Sequence, residues 1–259
     1  MASKKSEGVA GIDVGATGIK VGIVDVRKGR IISDRYKVGT PQPATPDAIA
    51  KAIITLGRKL KLKKGDLVGC GFPSIVIRGV TRSAANIDKK WIKFGAQKYL
   101  SRRTGYNVIL LNDADAAGMA EYSFGKVKGR KGTVILLTIG TGIGSALFVD
   151  GKLVPNTELG HLRFHDGIAE DYASNRARKE KQLTYKVWGK ELNAYLKHIC
   201  HIFSPDLIIL GGGVSKHFAI FGQFLDPGTV VVPAKLRNDA GIVGAALYAY
   251  QQQLLQKKK

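Results

Sequence analysis

Three polar side chains, Asn112, Asp113 and Asp115, follow directly on the apolar run Val108-Ile109-Leu110-Leu111. Four apolar, partly β-branched residues predict a buried strand. The small residues from Ala116 onward predict the start of a helix. In open α/β sheets the carboxyl end of a strand faces the ligand crevice. A carboxylate held there can take a proton from a bound hydroxyl if its geometry is right. The same residue types are favoured helix N-caps, so capping by Asp113 or Asp115 stands beside the catalytic reading.

Two other stretches have the makings of a phosphate site. Asp13-Val14-Gly15-Ala16-Thr17-Gly18-Ile19-Lys20 sets a tight turn between apolar segments at residues 9–14 and 19–26. Gly140-Thr141-Gly142-Ile143-Gly144 does the same between residues 133–138 and 145–149. There is no Gly-x-x-x-x-Gly-Lys-Ser/Thr, which argues against a Walker-type loop. Backbone N–H groups at Gly15, Ala16 and Thr17, with the Lys20 cation, can still cradle phosphate. Asp13 can hold a hydrated Mg²⁺. An ordinary hairpin turn is the competing reading. The repeated order of strand, glycine/threonine turn and strand points to an internal duplication. A glycine run, Gly211-Gly212-Gly213, ends a further apolar segment at residues 207–210.

Glu158 and His161 stand three apart, and Glu170 follows. Glu-x-x-His occurs in di-metal helical bundles, but those need a second copy of the motif on other helices. No cysteine lies near enough for a structural zinc. Hydrogen bonding to a polyol through two carboxylates and an imidazole fits better; a structural histidine with surface glutamates is the alternative.

The elements that must position these groups follow from periodicity. Helices are predicted over residues 47–60, 94–104, 171–181, 186–203 and 240–255, with apolar positions such as Ile49, Ala52, Ile53 and Leu56 on one face. Strands are predicted at residues 67–72, 207–210 and 229–233, and an extended segment at 76–81. The mixture is that of an α/β protein.

With 259 residues, 44% hydrophobic and 24% charged, the chain suits one large domain or two smaller ones. Cys70 and Cys200 show no metal or redox spacing and are expected as buried free thiols. The N-terminal residues lack a signal-peptide core and no apolar run approaches a membrane span, so a soluble, cytoplasmic protein without membrane contact is expected. Lys plus Arg is 41 against 20 Asp plus Glu, a net charge of +21. That excess favours an anionic partner such as nucleic acid, a phosphate polymer or an acidic membrane surface; a merely solvated basic surface is the alternative.

Taken together, Asp13 to Lys20, Leu111-Asn112-Asp113-Ala114-Asp115-Ala116-Ala117, Gly140 to Gly144 and Glu158-Leu159-Gly160-His161-Leu162 resemble the ROK family of sugar kinases. Residues 40–46, 84–91 and 154–158 resemble, more narrowly, its polyphosphate-using glucokinases. The resemblance implies an actin-like (ribonuclease H-like) fold of two α/β domains with a central cleft. The expected division is 1–113, completed by a C-terminal helix at 240–256, and 114–239. The resemblance makes Asp113 the general base for the sugar 6-hydroxyl. It gives Asn86, Asn112, Glu158, His161 and Glu170 to the sugar hydroxyls. Gly15, Ala16, Thr17, Lys20, Thr141 and Gly142 would face the phosphoryl donor, with Mg²⁺ held through water near Asp13. Gly211, Gly212 and Gly213 would meet a nucleotide. A homodimer is expected, glucose or mannose as acceptor, and polyphosphate, ATP or both as donor; nucleic acid is not an expected partner. Many members carry a cysteine-rich zinc loop after Glu-x-x-His, but residues 165–170 contain no cysteine, so no zinc is expected. Ser74 stands where many members have glycine. The charge suggests that Lys126, Lys128, Arg130, Lys131, Arg176, Arg178, Lys179 and Lys181 meet polyphosphate. A strictly ATP-dependent glucokinase or mannokinase, and a non-catalytic sugar-binding protein on the same fold, are the alternatives.

Overall fold

The computed structural model describes residues 8–85 and 87–257. Asn86, expected at the sugar, therefore lies outside the described residues. The chain opens with an antiparallel hairpin of β1 (Gly8–Val14) and β2 (Gly18–Asp25). β3 (Arg30–Ile31) and β4 (Tyr36–Gly39) both pair with β2. α1 (Pro46–Lys59) starts at Thr45, whose side chain accepts the Ala48 N–H, and buries Ile49, Ile53 and Leu56. β5 (Leu67–Phe72) runs parallel to β1. The expected extended segment is instead a tight hairpin of β6 (Val76–Ile77) and β7 (Val80–Thr81). Arg78 and Gly79, at φ 50° and 75°, are both left-handed in that reversal, as a two-residue hairpin turn requires. Trp91 is fully buried, and its indole N–H donates to the Ala44 carbonyl at 2.7 Å. α2 (Ala96–Thr104), β8 (Asn107–Asn112) and α3 (Asp113–Phe124) follow. This sheet is ordered β3-β2-β1-β5-β8, with β4 on β2. β5 and β8 are buried nearly throughout, as parallel strands covered on both faces must be.

The second unit repeats the plan. β9 (Thr133–Ile139), β10 (Ile143–Val149) and β11 (Lys152–Val154) form an antiparallel meander. A short hairpin, β12 (Arg163–Phe164) and β13 (Gly167–Ile168), leads to α4 (Glu170–Ala173), α5 (Asn175–Glu180) and α6 (Tyr185–Phe203). The single charged helix expected over residues 171–181 is thus broken. Ser174 takes an extended conformation and its Oγ caps α5 by accepting the Ala177 N–H at 3.1 Å. β14 (Leu207–Gly211), α7 (Phe218–Phe221) and β15 (Val231–Pro233) complete the unit, and α8 (Ala240–Gln256) ends the chain. The sheet order is β11-β10-β9-β14-β15. With β4, which lies off this path on β2, left out of the count, both sheets run third, second, first, fourth, fifth in chain order. The duplication visible in the two glycine turns is therefore a duplication of sheet topology, as an actin-like fold requires.

The compact units are residues up to Phe124 with Asp239 onward, and Gly125–Asn238. The first boundary falls after α3 and not at residue 113. The physical reason is α8, which packs on α3, β1 and β5 within the first unit. A side chain at Gly244 would collide with the Ala116 carbonyl, and one at Gly69 with the Ala245 carbonyl. Backbone approaches this close fix α3 and α8 to one sheet. Among the described residues no helix is long and apolar enough to cross a membrane. Both cysteines are free; Cys70 is buried, while Cys200 is only partly so.

Candidate active site

α3 begins at Asp113, earlier than the sequence suggests, because β8 stays paired with β5 as far as Phe72 opposite Asn112. The cap is Asn112. Its Oδ1 accepts the N–H groups of Ala114 at 2.8 Å and Asp115 at 3.0 Å. Asp115 donates its N–H to the cap and is buried at 2% exposure, so it does not fill the capping position, and Asp113 is the first residue of the helix itself. Asn112 Nδ2 donates to the Ser74 carbonyl at 3.2 Å. Asp113 is half-buried, and its Oδ1 accepts the Ala114 N–H at 2.9 Å. It stands in the first turn of a helix, where the exposed N–H groups favour an anion. Ser74 in turn is stapled to Ser83. Ser74 Oγ donates to the Ser83 carbonyl at 2.7 Å, and Ser83 Oγ accepts the Ile75 N–H at 3.0 Å. Sequence reasoning noticed Ser74 only as a departure from glycine and missed Ser83, which carries no local signal.

In the same unit the first glycine turn closes through Gly15 N–H to the Gly18 carbonyl at 3.0 Å. Thr40, at the end of β4, donates its hydroxyl to the Gly15 carbonyl at 2.6 Å, a support the sequence did not reveal. Gly15 and Ala16 are half-buried and Thr17 is exposed. Asp13 and Lys20 face each other across the β1–β2 ladder, with Lys20 Nζ 2.9 Å from Asp13 Oδ2. Gly241, in the first turn of α8, lies so close that a Cβ there would sit 2.7 Å from Asp13 Cγ. Glycine thus lets the amino end of a helix approach this carboxylate. Lys20 holds one carboxylate oxygen; the other is the kind of hard ligand that a hydrated Mg²⁺ takes beside phosphate oxygens. Among the described residues no group of three or more His, Cys, Asp or Glu side chains is placed to hold a metal ion.

The second unit brings its three predicted polar residues together. His161 Nδ1 lies 3.5 Å from Glu158 Oε2, and its Nε2 lies 3.9 Å from Glu170 Oε1. Glu170 Oε2 accepts the Ile143 N–H at 3.0 Å, tying this cluster to the second glycine turn. Gly142 has no room for a side chain, because a Cβ would strike that carboxylate. Burial pushes the Glu158 carboxyl up from its ordinary value; His161 opposes the shift and Glu170 adds to it. Ser145 holds the segment before Glu158. Its Oγ donates to the Thr157 carbonyl at 2.7 Å and accepts the Leu159 N–H at 3.0 Å. The turn itself closes through Gly140 N–H to the Gly142 carbonyl at 2.9 Å, with Thr141 exposed at its tip. Two carboxylates flanking an imidazole offer converging acceptors and donors for hydroxyl groups.

Gly211 ends β14 in the core, Gly212 turns the chain at φ 76°, and Gly213 is exposed. A Cβ at Gly212 would collide with the Ile139 backbone, so glycine is required there. Ser215 Oγ donates to the Gly212 carbonyl at 2.8 Å. The basic residues divide. Arg176 meets the second glycine turn through its backbone N–H, which donates to the Gly140 carbonyl at 3.1 Å, while its guanidinium lies 3.5 Å from the Asp171 carboxylate. The Arg178 guanidinium lies 4.4 Å from the Tyr185 ring centre, and the Lys181 ammonium 4.3 Å from that of Tyr172. Lys179 is exposed. Lys126, Lys128, Arg130 and Lys131 are exposed before the amino end of β9, at the opposite edge of the sheet from the turn.

The ROK family pattern matches residues 9–177. The chain is 47% identical over 238 residues to polyphosphate glucokinase of Mycobacterium tuberculosis, covering 92% of this chain and 89% of that one. It is 29% identical to a glucokinase of Streptomyces coelicolor, covering 91% of this chain and 95% of the relative. Among solved structures, the inorganic polyphosphate/ATP-glucomannokinase from Arthrobacter sp. strain KM superimposes with a TM-score of 0.91 at 46% identity, over 95% of this chain and 99% of that one. A ROK family glucokinase from Streptomyces griseus, in complex with glucose and AMPPNP, gives 0.80 at 27% identity, over 94% and 99%. With the motifs, the duplicated sheets and this match over most of its length, the chain belongs to the ROK family.

Proposed function

We propose that the protein phosphorylates the 6-hydroxyl of glucose with inorganic polyphosphate as donor, and with ATP as a second donor. The observation that carries this reading is the placement of Asp113. It is a half-exposed carboxylate at the carboxyl end of a buried strand, backed by Asn112, whose Oδ1 caps α3. The donor rests on the likeness to polyphosphate glucokinases at 47% identity and to a polyphosphate/ATP-glucomannokinase.

Phosphoryl transfer asks a protein mainly for positioning and charge neutralisation. Asp113 orients the sugar hydroxyl and accepts its proton as the oxygen attacks the terminal phosphorus, whose bond to the bridging oxygen breaks to release the shortened polyphosphate, or ADP when ATP is the donor. Asn112 is committed through Oδ1 to the helix and through Nδ2 to Ser74, so what it offers a sugar is the second N–H of Nδ2. Glu158, His161 and Glu170 bind further hydroxyls. The amides of Gly15, Ala16 and Thr17, the Lys20 cation and the Thr141–Gly142 turn receive the donor phosphates, and the Gly211 to Gly213 turn receives a nucleotide when ATP is used. Asp13 would hold a hydrated Mg²⁺, which would supply positive charge against the phosphate oxygens.

The test is a donor panel of polyphosphate, ATP and GTP with glucose, run on wild type and on Asp113→Ala. Glucose 6-phosphate forms with polyphosphate in the wild type and falls by at least a hundredfold in the variant, the range of a lost general base. Equal rates in the two proteins overturn the assignment of Asp113. Turnover with ATP and none with polyphosphate overturns the donor.

A further inference from the structure

Much of the basic charge lies far from any phosphate turn. The segment Arg58-Lys59-Leu60-Lys61-Leu62-Lys63-Lys64 puts five cations into seven residues at the end of α1. The two leucines are half-buried and pack on the core of the first unit, so the cations alone face outward. The end of α2 joins them. Gly65 N–H donates to the Gly105 carbonyl at 2.8 Å, and a Cβ at Gly105 would lie 3.6 Å from Lys64 Cγ. Arg102, exposed in the last turn of α2, extends the patch. None of Arg58, Lys61, Lys63, Lys64 and Arg102 forms an ion pair among the described residues. The Asp66 carboxylate accepts the backbone N–H of Lys63. Arg103, by contrast, pairs with Asp47 at 2.8 Å and is excluded.

Cations in the last turn of a helix stabilise it through the macrodipole. That accounts for Arg58, but Lys61, Lys63 and Lys64 lie beyond the Leu60 cap. The patch borders the amino ends of β5 and β8, which begin at Leu67 and Asn107. Asp13, Asn112 and Asp113 stand at the carboxyl ends of the same parallel strands. At ~3.3 Å per residue, six residues of strand separate the two edges by roughly 20 Å. A nucleotide held at the far edge does not span that length; a phosphate polymer does.

We propose that this patch is a second, distal binding surface for the polyphosphate chain, resting on the reading of polyphosphate as donor. The surface anchors the polymer away from the transferred phosphate and makes affinity depend on chain length. Among the described residues no fully exposed ring stands among these cations: Tyr36, under the Lys59 ammonium at 5.5 Å, and Tyr99, whose hydroxyl donates to Asp47, are half-buried, and Tyr106 is buried. Recognition of single-stranded nucleic acid relies on base–aromatic stacking, so a bare phosphate chain fits this surface better.

The experiment compares wild type with K63Q/K64Q/R102Q, all exposed positions outside the phosphotransfer site. The Michaelis constant is measured for long-chain polyphosphate, tripolyphosphate and ATP across a salt series. In the variant, long-chain polyphosphate loses affinity and its log–log salt slope falls by about 2, as three lost phosphate contacts at ~0.7 each predict. Tripolyphosphate and ATP are unchanged, which also shows that the fold is intact. K63R/K64R keeps the charge and the wild-type constants. An unchanged long-chain constant and slope overturn the proposal, as does an equal loss for all three donors. It is also overturned if single-stranded DNA competes with long-chain polyphosphate in the wild type as effectively as unlabelled polymer does. If the wild type uses no polyphosphate of any length, the donor reading itself has failed.

Discussion

Asn112 does several jobs at once, and replacing it in graded steps separates them. Its Oδ1 holds two N–H groups of α3 and its Nδ2 holds the Ser74 carbonyl. Asn112→Ala removes all of these. Loss of an N-cap costs about 1 kcal/mol, and stranding a buried carbonyl such as that of Ser74 costs about 2 kcal/mol. A total of about 3 kcal/mol lowers the melting temperature by roughly 6–12 °C for a chain of this size. Asn112→Asp keeps an oxygen for the helix N–H groups and loses only the donor to Ser74. The extra negative charge is favoured by the helix terminus but sits beside Asp113. The aspartate variant therefore melts between wild type and the alanine variant in differential scanning calorimetry. Its Michaelis constant for glucose rises with that of the alanine variant, because both lack Nδ2. If Asn112→Asp melts as low as Asn112→Ala, the cap is not where the stability lies. If Asn112→Ala melts with the wild type, the whole account of the α3 start is wrong.

The other predictions concern the second unit. Gly142→Ala forces Glu170 off the Ile143 N–H; a hydrogen bond to a charged group contributes roughly 1.5–3 kcal/mol. The Michaelis constant for glucose then rises by about tenfold or more; an unchanged constant refutes the claim that the turn positions Glu170. Burial raises the Glu158 carboxyl, so the folded protein holds that proton more tightly than the unfolded chain does. Stability from this group is therefore lost as pH rises from the unfolded value of 4.5 through the raised folded value. Glu158→Gln does not titrate and melts higher than wild type above that window, with the gain shrinking as pH falls through it, while its glucose Michaelis constant rises. Parallel melting-temperature profiles for the two proteins from acid to neutral pH refute this.

The parts of the site that were legible in the sequence are those made by short-range patterns. A β-hairpin needs only its alternating strands and the glycine turn, so Asp13 and Lys20, seven residues apart, could be read as neighbours and are paired. Glu158 and His161 are neighbours because a single 3₁₀ turn, Leu159–His161, brings residues three apart to one side. Groups of like chemistry competing for one position were not legible. Asn112, Asp113 and Asp115 can all cap a helix, and the choice falls to Asn112 because β5 carries the ladder that far. Ser174 breaks the charged helix through a cap that its own sequence permits, but burial against α6 decides it. Trp188 of α6 donates its indole N–H to the Ser174 carbonyl at 3.2 Å.

The domain boundary shows why such choices lie beyond local reading. A helix that begins at the end of β8 could lead into either unit, and nothing within residues 113–124 decides between them. The decision is made by α8, more than a hundred residues later, whose glycines and alanines allow backbone contact with α3 and with β1 and β5 together. Gly241 and Gly244 are one helical turn apart on α8. One approaches the Asp13 carboxylate and the other the Ala116 carbonyl of α3. The same face of one helix therefore sets the distance between the carboxylate proposed to hold the hydrated metal and the helix that carries the proposed base. Phosphoryl transfer depends on that kind of positioning more than on any covalent step by the protein. In this unit that positioning falls to Gly241 and Gly244. Gly244 leaves no side chain between the backbones of α8 and α3, and Gly241 leaves none between α8 and the Asp13 carboxylate.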